Sequence, residues 1–173
     1  DVLTVGAGIS GVDAAYRLKT LCKDRTFAIL EARDRIGGTW DLFRYPGVRS
    51  DSDMFTLGFP FRPWRSDLAI VGGEAIRDYI EQTAREFGIF DRIHFGEHVM
   101  RASWSSADAR WAVETNHGLY SCRFLYLASG YYDYAQGYRP DWPGEDEFTG
   151  RIVHPQAWPE DLDFSGRRVA VIG

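Results

Sequence analysis

The sequence predicts an α/β fold in which a parallel sheet is interrupted by a small antiparallel meander. Three observations carry this prediction. A β-type run, Val2 to Val5, breaks into a glycine-rich turn and then a helical pattern. A block of short strand-like runs occupies Val99 to Cys122. An unbroken apolar run then returns at Phe124 to Ala128, the character of a strand buried on both faces of a parallel sheet. The length of 173 residues suits roughly one domain, and 45% hydrophobic with 26% charged residues is the composition of a folded core.

The elements follow in order. After the first strand, Ile9, Val12, Ala15/Tyr16 and Leu18/Leu21 recur at helical spacing, and Phe27 to Leu30 supplies a second strand. A second helix is expected from Glu74 to Phe87, where Ile76, Tyr79/Ile80, Thr83/Ala84 and Phe87 share a face and Gly88 stands as the C′ residue. Val99 to Trp104, Trp111 to Thr115 and Leu119 to Cys122 read as strands of the meander, with Asn116-His117-Gly118 turning between the last two. Tyr131 to Asp163 holds Pro140, Pro143, Pro155 and Pro159 and little periodicity, so a loop-rich stretch with a domain boundary is expected there. Its cluster of Tyr131, Tyr132, Tyr134 and Tyr138 has two readings, the lining of a substrate path and the packing of a loop over the domain, of which the second is expected. Val169 to Ile172 reads as one more strand. The absence of an initiator Met and the stop at Gly173 lead us to expect a piece of a longer chain.

Several function classes drop out. A formal charge of -5 and a pI near 5.4 give no basic footprint for nucleic acid or anionic lipid. Cys22 and Cys122, with no CxxC and no Cys/His cluster, exclude a disulfide scaffold, a zinc site and a dithiol redox centre. The longest apolar stretch, Phe124 to Ala128, is far short of the ~20 residues of a membrane-spanning helix. A cytoplasmic chain without metal is expected.

Gly6-Ala7-Gly8-Ile9-Ser10-Gly11 matches GxGxxG directly after a strand and at the opening of a helix, the context in which this pattern binds a dinucleotide. Gly6 permits the tight turn, Gly8 lets backbone approach a pyrophosphate, and Gly11 lets helix and strand pack closely. Ser10 lies in the helix's first turn, whose N–H groups face the anion. Glu31 stands twenty positions past Gly11 and closes the second strand. Its carboxylate suits ribose hydroxyls and repels a 2′-phosphate, so FAD or NAD is expected here rather than NADP. A second glycine pair in Arg35-Ile36-Gly37-Gly38-Thr39-Trp40 brings another loop to the same ligand and favours the larger FAD.

These residues, with Arg44-Tyr45-Pro46-Gly47 and Arg49-Ser50-Asp51 after them, resemble the class B flavin monooxygenases, two-dinucleotide-domain flavoproteins of Rossmann-like fold. Phe148, Gly150, His154, Trp158 and Pro159 fill every specified position of FxGxxxHxxxWP, the fingerprint of the Baeyer-Villiger branch. Ala128-Ser129-Gly130 is similar to the family's Ala-Thr-Gly at the end of the last FAD-domain strand, with Ser keeping the hydroxyl.

The resemblance implies an FAD-binding domain over 1-140, a linker carrying the fingerprint over 141-166, and over 167-173 the first strand of an NADPH-binding domain. It implies that Gly6, Gly8, Ser10 and Gly11 hold the pyrophosphate, Glu31 the ribose, and Gly38, Thr39, Trp40, Asp41 and Leu42 the ribityl and flavin end. Val99 would meet the adenine through its backbone, and Arg49 and Ser50 the nicotinamide nucleotide. Asp51 would lie beside the flavin and orient an arginine outside these residues, and His154 would order the linker. The implied reaction uses NADPH and O2 to convert a ketone to an ester or lactone through a C4a-peroxyflavin. Two alternatives stay open: oxygenation of sulfur or nitrogen in a sulfide or amine, and a module that binds FAD and catalyses nothing by itself. A flavin disulfide reductase of the same fold would need a CxxC, which the sequence lacks.

Overall fold

The computed structural model describes residues 1–172. β1 (Val2–Val5), α1 (Ile9–Leu21) and β2 (Phe27–Glu31) open the chain as a strand, helix, strand unit. Single-turn helices α2 (Thr39–Leu42) and α3 (Met54–Leu57) and the long helix α4 (Gly73–Glu86) follow. Next come β3 (Ile93–Phe95), the meander β4 (Val99–Ser105), β5 (Arg110–Thr115) and β6 (Leu119–Cys122), and finally β7 (Phe124–Leu127). The parallel sheet has the order β3-β2-β1-β7, with Leu3 opposite both Ala28 and Leu125. The meander forms a separate antiparallel sheet, β4-β5-β6, as expected.

Strand pleating sends successive side chains to opposite faces, and here that builds two cores. Ile29 joins Val12 and Ala15 of α1 and Ile76, Tyr79 and Ile80 of α4 in the larger one. Leu3 and Leu30 face the other way and pack with Val113 and Cys122 of the meander. The parallel sheet is thus the middle of three layers, and burying fully enclosed residues such as Ile80 and Leu30 is worth roughly 1.5–3 kcal/mol each. α4 buries Ile76, Tyr79, Ile80, Thr83 and Ala84, the face its sequence spacing predicts.

Three expectations need correction. β3 pairs Ile29, Leu30 and Glu31 with Ile93, His94 and Phe95, where no strand was expected; three residues are too few to show a period. β7 is parallel as expected but is not buried, because only β1 pairs with it; Phe124 is 60% and Leu127 67% exposed. The run from Val169 to Ile172 forms no strand, since no ladder partner lies beside it among the described residues, and its side chains are exposed. Gly173, the last residue of that expected strand, lies outside the described residues.

Candidate functional site

β1 ends in the glycine loop, and the loop is shaped by contacts that admit no side chain. Gly6 has φ +103°, and a Cβ there would stand 2.5 Å from the Ala128 carbonyl oxygen, so β1 turns hard against the end of β7. A Cβ on Gly11 would overlap the Gly6 carbonyl oxygen, which fixes how closely α1 approaches the strand. α1 starts at Gly8 with no side-chain cap and no acidic residue in its first turn. Its first N–H groups, that of exposed Ser10 included, and the positive end of its dipole are therefore available to an anion.

Glu31 closes this loop from β2. It is 6% exposed, and its Oε2 accepts from the Ala7 N–H at 2.7 Å while Oε1 accepts from the Arg33 N–H at 2.9 Å. A carboxylate has about four acceptor positions, so capacity for ligand hydroxyls is left over. The second glycine pair then comes up against the first loop. The Gly37 N–H donates to the Ala7 carbonyl at 3.1 Å, and a Cβ on Gly38 would lie 3.2 Å from the Gly8 Cα. Two stretches of bare backbone, at Gly8 and Gly38, pack directly against each other, and together they form the floor of a candidate slot with Glu31 pinned to the same loop.

Not every expected residue offers its side chain to that slot. Asp41 is 1% exposed; Arg33 holds its Oδ2 through Nε at 2.9 Å and Nη2 at 2.6 Å, and Arg44 reaches Oδ1 at 3.3 Å. Its carboxylate is held inside the protein as an anchor for α2 and is not offered to a ligand. The Trp40 ring leans on the start of α4, with Cε3 3.6 Å from the Cβ position of Gly73, and Leu42 is buried. From Gly38 to Leu42 the slot meets backbone and the Thr39 side chain. Val99 opens β4 and packs in the meander core, two residues past Glu97, whose N–H donates to the Glu31 carbonyl at 2.9 Å. That places it on the Glu31 side of the slot.

Arg49, Ser50 and Asp51 line a separate cleft of about 560 Å³ with Tyr45, Gly47 and Ile70. Ser50 is buried, its N–H donating to the Val71 carbonyl at 3.3 Å and its hydroxyl accepting from the Ser52 N–H at 3.1 Å. Arg49 and Asp51 are exposed and, among the described residues, make no ion pair with each other. The Tyr132 phenol is pushed up by its hydrogen bond with Tyr131, by burial, and by the nearby Tyr45 and Asp51. Tyr132 also packs edge-on against Phe43 at 5.1 Å.

The fingerprint residues are stitched to their surroundings one by one. The Phe148 ring folds onto the backbone of Gly150, and the His154 ring onto that of Gly137, where a Cβ would overlap it. His154 Nδ1 accepts from the Gln156 N–H at 3.2 Å, and the Gln156 side chain donates to the Asp133 carbonyl at 2.7 Å. Trp158 meets Phe164 edge-on at 5.9 Å, and the Pro159 carbonyl accepts from the Leu162 N–H at 3.3 Å. Glu160 pairs with Arg44 at 3.1 Å, and Arg44 in turn reaches Asp41. Sequence reasoning missed Asp133, Gly137 and Gln156, because a short polar loop carries no period to read.

The comparisons with known proteins agree with this geometry. The description "NAD(P)-binding Rossmann-like domain" matches residues 4–68. The FAD-containing monooxygenase EthA of Mycobacterium tuberculosis is 53% identical over the whole of this chain, which spans 36% of that protein. A steroid monooxygenase solved in oxidized form with NADP superimposes with a TM-score of 0.81 at 35% identity, over 96% of this chain and 32% of its own. Cyclohexanone monooxygenase solved with ε-caprolactone superimposes at 0.84 and 29% identity, over 97% of this chain and 34% of its own. The chain thus spans about a third of the length of the proteins it resembles. Among the described residues no group of three or more His, Cys, Asp or Glu could hold a metal ion, and no helix is long and apolar enough to cross a membrane.

Proposed function

We infer that this chain belongs with the flavin monooxygenases of Baeyer-Villiger type and carries their FAD cradle. The observation that carries this reading is the side-chain-free floor that Gly8 and Gly38 form in contact, with Glu31 pinned beside it. In this reading the N–H groups at Gly8, Ser10 and Gly11 hold the pyrophosphate at the turn that Gly6 makes, the Gly6 N–H itself donating to the Leu30 carbonyl at 2.8 Å, and Glu31 accepts from the adenosine ribose. Val99 meets the adenine through its backbone, and Gly38 and Thr39 receive the ribityl chain. Bound FAD, reduced by NADPH, supplies the oxygen-activating chemistry. Arg49 and Ser50 meet the nicotinamide nucleotide, and Asp51, exposed in the same cleft, orients a cation that stabilises negative charge during oxygen transfer. Residues 141-166 are the linker to an NADPH-binding domain that opens at 167-173. The substrate is a ketone, the product an ester or lactone, and the setting the NADPH-supplied cytoplasm.

The test is made on the full-length parent protein with a panel of ketones and sulfides. Ketone-stimulated consumption of NADPH and O2 with ester or lactone as product is the expected result. Sulfoxide without ester would move the activity to heteroatom oxygenation, and a colourless protein that takes up no flavin would overturn the FAD assignment.

A further inference from the structure

Tyr134 lies on the loop between β7 and the fingerprint, outside every set of residues the motifs pick out. Its hydroxyl sits 3.5 Å from the point where a Cβ on Gly38 would project and 3.7 Å from the same point on Gly130. That Gly38 point is the one lying 3.2 Å from the Gly8 Cα. The phenol therefore stands beside the contact of Gly8 with Gly38, past the end of β7. Tyr131 and Tyr138 on the same loop do not share this placement, being 88% and 86% exposed.

Burial pushes the Tyr134 phenol up, the Thr39 side chain hydrogen-bonded to it pulls it down, and Glu31 nearby raises it again. The net direction keeps it protonated, and it faces the slot as a donor. A donor added to a slot of glycines and helix N–H groups complements an anionic oxygen, which is what a diphosphate presents.

The loop is held from one side by the fingerprint. The His154 ring covers Gly137, a contact only glycine permits, and Gln156 donates to the Asp133 carbonyl at 2.7 Å, one residue before Tyr134. His154 also fixes Gln156, accepting its N–H at 3.2 Å.

We propose that Tyr134 is a cofactor-binding residue that donates a hydrogen bond to the diphosphate of a dinucleotide lying over Gly8 and Gly38, and that His154 and Gln156 hold it in place. The proposal rests on the FAD reading above. His154 thereby becomes a positioning residue, acting on the cofactor through the 133–137 loop.

The test measures the dissociation constant for FAD, by quenching of flavin fluorescence, on full-length parent protein stripped of flavin. Tyr134→Phe keeps the ring and removes only the donor, and is expected to weaken FAD roughly tenfold. Gly137→Ala displaces the His154 contact and is expected to weaken FAD as well, yet to add little in the Tyr134→Phe background, because both remove the same bond. A merely structural role for Gly137 would give fully additive losses and would overturn the fingerprint half of the proposal. Unchanged affinity in Tyr134→Phe, with wild type binding FAD, would overturn the Tyr134 assignment alone. A wild-type parent that binds no FAD would overturn the reading beneath it.

Discussion

Glu97 shows how one side chain joins the two sheets. Its N–H is bonded to the Glu31 carbonyl, while its carboxylate sits under the meander with Oε1 3.6 Å from His117 Nδ1. The Thr115 hydroxyl holds this carboxyl below the usual range against the opposing effect of burial, with Tyr120 and His117 helping. A lowered carboxyl pKa means stability that is present above the ordinary glutamate value of 4.5 and is lost as pH falls through the folded value. Glu97→Gln should therefore be less stable than wild type at pH 7, and the gap in melting temperature should close as pH is lowered below 4.5. A gap independent of pH would show that the carboxylate charge does not matter. Residues of this kind divide by legibility. Gly6, Gly8, Gly11 and Glu31 could be named from spacing alone, because ligand geometry dictates the spacing. Asp41 could not be placed, since its role depends on Arg33 and Arg44, eight residues before it and three after, which no motif specifies. Tyr134 stands beside Gly38 on a loop that the fingerprint holds through Gln156, a connection no motif specifies.

Among the elements, α1 and α4 were readable from their 3.6-residue period, and the meander from its alternation and its Asn116-His117-Gly118 turn. The single turns α2 and α3 have four residues each and show no period. β7 was identified as a parallel strand but its burial was misjudged, because burial belongs to neighbours and not to the strand's own sequence. The tightest junction in the site is between α1 and β1, where Gly11 touches the Gly6 carbonyl. Gly11→Ala should force the helix off the strand and cost about 1–3 kcal/mol in urea unfolding, with FAD affinity falling in step as Gly8 and the first-turn N–H groups move. Unchanged stability and affinity would mean the helix can shift without disturbing the slot.

At the scale of the molecule, the parallel sheet serves two cores at once, and its C-terminal edge carries the site. β1 and β2 end at Val5 and Glu31, and both glycine loops hang from those ends, the crevice where α/β sheets bind their ligands. The meander packs on the opposite face from α1 and α4, so it leaves that crevice open while its first strand delivers Val99 to the Glu31 side. The fingerprint segment is bonded to α2 through Glu160 and Arg44 and to the 131–138 loop through Gln156. Movement of this segment would therefore be felt at α2 and at the 131–138 loop, which in the proposed reading gives a physical route from linker position to flavin position.

The account turns on where the dinucleotide lies, and the most direct measurement is a crystal structure of the full-length parent with its flavin bound. The expected structure has a diphosphate lying over Gly8 and Gly38, with the adenosine ribose hydroxyls on Glu31 and the Tyr134 hydroxyl within hydrogen-bonding distance of a phosphate oxygen. A ribose away from Glu31, or a dinucleotide that bypasses the two glycine loops, would contradict it.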